Sequence, residues 1–214
     1  MKKKIIIFSA GSAGREVFQL ISIINKLNKK WEVVGYVDSD PKKVGKTIDG
    51  VKVFSVENKP KHKEIFATCG IMNPQIRKKI YEKEILNFPY KIINLIHPLN
   101  ENPNCLKIGK GNIIFGNAHI SFEVNLENFL LVSNFSDLGH NLIADNYVTI
   151  MPSVIIGGNC KIKSGSLIAS GAIINQGTSI GKNCKIGMGT LVTKNLKDNI
   201  SAIDYPRKAV VNNN

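Results

Sequence analysis

Acidic residues are scarce in this chain. Asp and Glu number 16 against 29 Lys and Arg, a formal net charge of +13 over 214 residues. Such a balance admits nucleic acid, an anionic membrane surface or small phosphorylated ligands as partners. The basic residues are scattered and few aromatic residues lie beside them, so nucleic-acid binding is not expected. Long apolar runs are missing too. Ile5–Phe8 is too short for a secretory signal core, and no segment approaches the ~20 residues of a membrane helix. Cysteine is sparse: Cys69, Cys105, Cys160 and Cys184 show no metal-ligand spacing and fit reduced thiols in a cytoplasmic protein.

What is present divides into two halves with different periods. In the first, Lys4–Phe8 reads as a buried parallel strand. A small-residue turn follows over 9–14, and Val17, Leu20, Ile21, Ile24 and Leu27 then fall at helical spacing. Strands are expected over 32–37, ending at Asp38, over 65–68, and over 91–96. Pro74 opens a helix through Ile76, Ile80 and Ile85, proline being suited to the first helical position. Strands alternating with helices predict a small parallel sheet flanked by helices.

From about residue 106 a six-residue period takes over. The series Ile108, Ile114, Ile120, Leu126, Val132, Leu138, Ala144, Ile150, Ile156, Ile162, Ile168, Ile174, Ile180, Ile186, Val192 is apolar throughout. Chance gives such a run on the order of once in a few hundred thousand tries per register. Residues two before each are mostly small or β-branched, as at Ala118, Val148, Cys160, Ser166 and Cys184. Glycine often follows the large residue, as at Gly109, Gly139, Gly157, Gly181 and Gly187, where it is expected to relieve turns of unusual φ. A fixed short period means a solenoid. Three units close a triangular coil, the large residues stack inside it, and Cys160 and Cys184 are interior filler. Three histidines are needed for a zinc site on such a helix, and the repeats hold only His119 and His140, so no metal is expected.

This hexapeptide pattern resembles the left-handed parallel β-helix of the hexapeptide-repeat acyltransferases. The order of parts is similar to the sialic-acid O-acetyltransferase (NeuD/PglD-like) family, in its branch that N-acetylates nucleotide-linked 4-amino sugars. The residues that carry the likeness are the strand and glycine turn at 5–16, Gly35-Tyr36-Val37-Asp38, Ile76–Tyr81, Asn94–Pro98, Gly139-His140 and Pro206-Arg207-Lys208. The resemblance implies a Rossmann-like α/β nucleotide-sugar domain over 1–100, a β-helix acyltransferase domain over 101–200 and a tail over 201–214 near the cofactor. It implies acetyl-CoA as acyl donor, a homotrimer with the donor groove between subunits, and a place in surface-glycan biosynthesis.

His140 lies two residues after Leu138 and should project outward near a turn. Acyl transfer to an amine needs a base as nitrogen attacks, and imidazole suits that task. The family's general base falls here, commonly followed by an acid. Asn141 stands in the acid's place, so either the base is weaker or another carboxylate assists, with Asp137 and Glu123 as candidates.

For the acceptor, the resemblance points to Ser12, Ala13, Gly14 and Asp38, with Gly70, Asn73 and His97 nearby. A glycine turn opening a helix presents backbone N–H groups to phosphate, although Ser9 occupies the first glycine's place. Arg15 could meet phosphate or remain solvated. For the cofactor, it points to Thr149, where relatives place a histidine, and to Gly158, Ala169, Ser170, Gly187 and Gly189, with Lys194 or Lys208 for the ribose phosphate. An O-acetyltransferase acting on sialic acid is the alternative. Hydroxyl attack asks more of the base, and Asn141 therefore favours N-acetylation. A non-catalytic β-helix scaffold is a further alternative.

Overall fold

The computed structural model describes residues 2–100 and 105–203. The tail residue Lys208, assigned above to the cofactor, lies outside the described residues, as do Pro206 and Arg207.

The first part is a six-stranded sheet flanked by helices. In chain order its elements are β1 (Lys3–Phe8), α1 (Ser12–Asn28), β2 (Trp31–Val37), β3 (Thr47–Ile48), β4 (Val51–Phe54), β5 (Phe66–Cys69), α2 (Pro74–Ile80) and β6 (Lys91–Ile92). The strand order is β3-β4-β2-β1-β5-β6, parallel except for the β3–β4 hairpin. The sheet is therefore mixed at one edge, an addition to the purely parallel expectation. β1 is central, and its apolar run is buried on both faces: Ile5, Ile6 and Ile7 are wholly inaccessible. α1 lays Val17, Leu20, Ile21 and Ile24 on this sheet, as their spacing predicts. α2 continues into a π-helical turn over Tyr81–Ile85 that buries Tyr81 and Ile85.

The expected strand over 91–96 is two strands in two sheets. β6 pairs with β5, whereas β7 (Leu95–Ile96) pairs with Ile113–Ile114 of the helical stack. Between them Asn94 turns the chain. Its side-chain amide donates to the Gly109 carbonyl and accepts from the Asn112 N–H, at 2.7 and 2.9 Å.

Past residue 106 fifteen two-residue strands follow at six-residue intervals and stack as three parallel sheets. Each residue pairs with the one 18 positions on: His119 with Asp137, Asn125 with Ile143, Leu131 with Thr149. Fifteen strands on three sides make five coils. Of the fifteen periodic residues, all but Ile108 belong to one buried cluster, and Ile108 packs against it. Each buried Ile, Leu or Val contributes roughly 1.5–3 kcal/mol, so the stacked column is the main source of cohesion. Cys160 and Cys184 lie inside it, fully buried.

The glycine expectation needs correction. The left-handed residue of each coil corner sits three after the large residue, at Gly111, Asn117, Glu123, Asn141, Asn159, Gly165 and onward. Glycines directly after the large residue serve a different need, because the next coil passes too close for a Cβ. At Gly139 a Cβ would lie 2.6 Å from the Ile156 carbonyl oxygen.

The two parts are bolted together by Arg77. This side chain is 1 % exposed and donates to five carbonyls. Nε reaches Phe129 O at 3.0 Å, Nη1 reaches Ile71 and Met72 at 2.7 and 3.1 Å, and Nη2 reaches Tyr147 and Val148 at 2.9 and 3.1 Å. The rings of Tyr81, Phe129 and Tyr147 stack alongside. Burial pushes the guanidinium pKa down to about 10, which leaves it charged at neutral pH. Among the described residues no helix is long and apolar enough to cross a membrane.

Candidate active site

His140 stands at the corner where the sheet containing Asp137–Leu138 gives way to the sheet containing Ile143–Ala144. The corner is exterior, and the ring is half-buried. Three neighbours fix it. Phe122, one coil earlier, stacks nearly parallel to it, 6° between planes and 5.2 Å between centroids. Gly158, one coil later, lies under its far edge. A Cβ there would run into Nε2 and sit 2.5 Å from Cε1. Asn141 takes Nδ1, with Oδ1 at 2.8 Å, and donates its own Nδ2 to Glu123 Oε2 at 2.5 Å.

The Glu123 carboxylate can only accept, so it fixes which end of the Asn141 amide faces it. Oδ1 then faces the ring and can only accept, so Nδ1 must carry the proton. In the neutral ring Nε2 then holds the lone pair, which is the state a general base needs. Of the two carboxylates the sequence offered, Asp137 is engaged elsewhere, 2.8 Å from His119 Nδ1. A groove of ≈610 Å³ opens beside the relay, lined by Cys105, Lys107, Glu123, Asn125, Asn141 and Ile143.

Gly158 has no positive φ, so alanine is conformationally acceptable there, and the three atoms its Cβ would meet first all belong to the imidazole. Gly158→Ala is expected to leave the melting temperature nearly unchanged while pushing the ring aside. A misplacement of ~1 Å costs about 10²-fold in turnover, to be read in steady-state kinetics.

The proposed acceptor residues gather at the end of the parallel strands. Gly14 and Gly70 touch, a Cβ on Gly70 falling 2.5 Å from Gly14 Cα. Ser12 and Ala13 open α1, and Ser9 bends the chain into it at φ 91°, an unusual value for a residue with a side chain. Asp38 closes the turn. Its Oδ2 accepts from the Ala10 N–H at 2.8 Å and its Oδ1 from the Asp40 N–H at 2.9 Å. Burial alone would push this carboxyl up, but the two N–H bonds and Lys43 outweigh burial and hold it below the usual range. Such a group stabilises above its unfolded pKa and loses that contribution as pH falls through the depressed native value. Asp38→Asn should therefore flatten the fall of melting temperature between roughly pH 5 and pH 3. Asp38, Ser9 and Ile71 border a small cleft of ≈100 Å³.

Other assignments shift. Asn73 spends its Oδ1 on capping α2, accepting from Gln75 and Ile76. Arg15 makes a two-pronged ion pair with Asp49, which also accepts from the Tyr36 hydroxyl. His97 lines a separate groove with Glu16, Gln19 and Phe115, and its Nδ1 accepts from the Leu99 N–H. Thr149 is fully buried and donates to the Met72 carbonyl at 2.8 Å, so it has no open face for a cofactor. Ala169, Ser170, Gly187 and Gly189 meet at the other corner of the His140 sheet. The N–H groups of Ala169, Gly187 and Gly189 already donate to neighbouring coils, and so are not free donors for a pantetheine arm. Lys194 is exposed.

A hexapeptide-stacked prism that carries an imidazole on an exterior corner has the build of a hexapeptide transferase. The family described as bacterial transferase hexapeptide (six repeats) matches residues 159–194, and the PglD N-terminal domain matches residues 4–84. A GDP-perosamine N-acetyltransferase of Escherichia coli O157:H7 is 31% identical over 172 residues, covering 78% of this chain and 76% of the relative. The chain belongs to the NeuD/PglD-like family of sugar acetyltransferases. Two solved structures share its fold. The acetyltransferase domain of PglB from Neisseria gonorrhoeae FA1090, in complex with acetyl coenzyme A, has a TM-score of 0.85 at 22% identity, with 96% and 98% of the two chains covered. PerB from Caulobacter crescentus, in complex with CoA and GDP-perosamine, has a TM-score of 0.83 at 18% identity, with 95% of each chain covered.

Proposed function

We propose that the protein is an acetyl-CoA-dependent N-acetyltransferase for the 4-amino group of a nucleotide-linked amino-deoxy sugar, working in the cytoplasm in surface-glycan assembly. The observation that carries this reading is the His140 imidazole on the prism exterior, its Nδ1 held by Asn141 Oδ1 and, through that amide, tied to Glu123. The acceptor amine attacks the thioester carbonyl while Nε2 takes its proton. Nδ1–H, held by Asn141 Oδ1, steadies the imidazolium that forms. The proton then passes to the departing CoA thiolate, and imidazole is restored. The glycine turn at the start of α1 suits the diphosphate of the sugar nucleotide.

GDP-linked perosamine is the first acceptor to try, because the E. coli relative is named for it. The assay is CoA thiol release with GDP-, UDP- and dTDP-linked amino sugars, with acetyl gain checked by mass spectrometry. Release with a nucleotide-linked amine, and none with the N-acetylated sugar, is the expected result. No release with any of them would sink the proposal. Thermal shift ranks the nucleotides separately, since a ligand at a hundred times its Kd adds ~2.7 kcal/mol.

The same reading makes the protein a homotrimer. The prism face between the two corners carries Ile155, Ile173 and Leu191, 46%, 41% and 55% exposed, and aliphatic rows of this kind suit burial against another copy. Light scattering on the purified chain checks the mass.

A further inference from the structure

We infer that Glu123 is a positioning residue for the transfer: it supplies, through the Asn141 amide, the carboxylate that the position after His140 lacks. The inference rests on the proposed role of His140 and deepens it. Coils repeat every 18 residues, so Glu123 stands one coil below Asn141 at the same corner position. Both residues occupy the left-handed region, with φ of 55° and 57°. Asparagine tolerates that backbone better than most residues with a side chain, and its amide is the right length to join a carboxylate to an imidazole.

The arrangement places one negative charge in the relay. A carboxylate at 141 would bond the ring directly, but it would also face Glu123 across a contact that is now 2.5 Å. Two carboxylates that close cannot both stay ionised at low cost. Asn141 and Glu123 thus form a compensating pair, in which the identity at one position sets which identity works at the other.

Glu123→Gln is nearly isosteric and removes the direction of the relay. An amide at 123 can accept or donate, so the Asn141 amide can present either end to the ring. Turned over, it donates to Nδ1 and moves the imidazole proton to Nε2, which disables the base. The test uses the full chain with two readouts. Nitrogen-15 NMR of the His140 ring reads the tautomer with no substrate present. Kinetics read kcat and the KM for acetyl-CoA. The wild type is expected to show protonated Nδ1. Glu123→Gln should show both tautomers and lose roughly tenfold or more in kcat, less than the ~10²–10⁴-fold of losing the base outright, with KM for acetyl-CoA little changed. Asn141→Asp alone should also be slow. The double variant, with its single carboxylate moved to 141, should recover most of the lost rate.

Glu123→Gln with unaltered tautomer and kcat would overturn the inference. So would Asn141→Asp slowed to the same extent with and without Glu123. The two readings part cleanly. If no nucleotide-linked amine is acetylated, the proposed function fails while the NMR still decides the role of Glu123.

Discussion

His140→Ala is expected to lower kcat by ~10²–10⁴-fold, the span a positioned base contributes. The variant should remain folded. The imidazole lies outside the prism against Phe122, and the bond that ties this corner to the next coil, from the Asn159 N–H to the His140 carbonyl, belongs to the backbone. Melting temperature should therefore stay within a few degrees of the wild type, and KM for acetyl-CoA should change much less than kcat. Thiol release under saturating substrates gives the rate, and a thermal melt run beside it guards against unfolding. A folded variant that turns over normally would remove His140 from the chemistry and, with it, the reason for the Glu123–Asn141 relay.

Arg77→Met is expected to be the most destabilising single change. Methionine keeps much of the length and none of the donors. Ile71, Phe129 and Tyr147 then lose the one partner their carbonyls have among the described residues, since Val148 and Met72 have others in Leu131 and Thr149. A buried acceptor left unmade costs ~1–3 kcal/mol, so the two buried ones, Phe129 and Tyr147, together cost about 2 kcal/mol or more, with the half-buried Ile71 adding less. The five bonds span both parts of the molecule. Their loss should therefore show first as earlier urea unfolding of the α/β part, with the β-helix melting closer to its original midpoint. Arg77→Lys should recover only a fraction, because three donors on one ammonium cannot span the five carbonyls. Coincident, wild-type-like transitions in Arg77→Met would show that the clamp holds nothing.

The prism was legible because its cause is written once per coil side. A large aliphatic residue every sixth position has no other way to be buried, and the same count places residue i over residue i+18. The alternating strands and helices of the first part were legible for the ordinary reason that α1 and β1 each carry the period of their own geometry. Other features have no such local cause. Lys91–Ile96 reads as one apolar run, and only tertiary pairing splits it between two sheets. Arg77 sits beside Lys78 and Lys79 in what looks like a solvated charged stretch, yet it points inward while Lys78 is left exposed. Thr149 fits the family's cofactor position by count, but its face of the prism is the one the α/β part covers. The sequence places His140 outward by its count from Leu138, and the structure puts it on an exterior corner. Between Asp137 and Glu123 the sequence does not choose, whereas the structure pairs Asp137 with His119 and Glu123 with Asn141. Phe122 carried a usable signal, since it precedes the imidazole by one full coil.

The 18-residue coil also limits how this enzyme can change length. A loop at a corner can swell freely, because it leaves the rungs above and below in register. Within the prism, only a gain or loss of whole coils keeps each corner above its present neighbours. A gain of six residues between Glu123 and Asn141 would rotate everything after it by a third of a turn, carrying His140 to a different edge and separating it from Phe122 and Glu123. Such a chain could still bury its aliphatic column and fold, yet its imidazole would face the wrong neighbour. Size variation among proteins built this way should therefore come in quanta, and a corner whose neighbours span three coils will tolerate new material only beyond its ends.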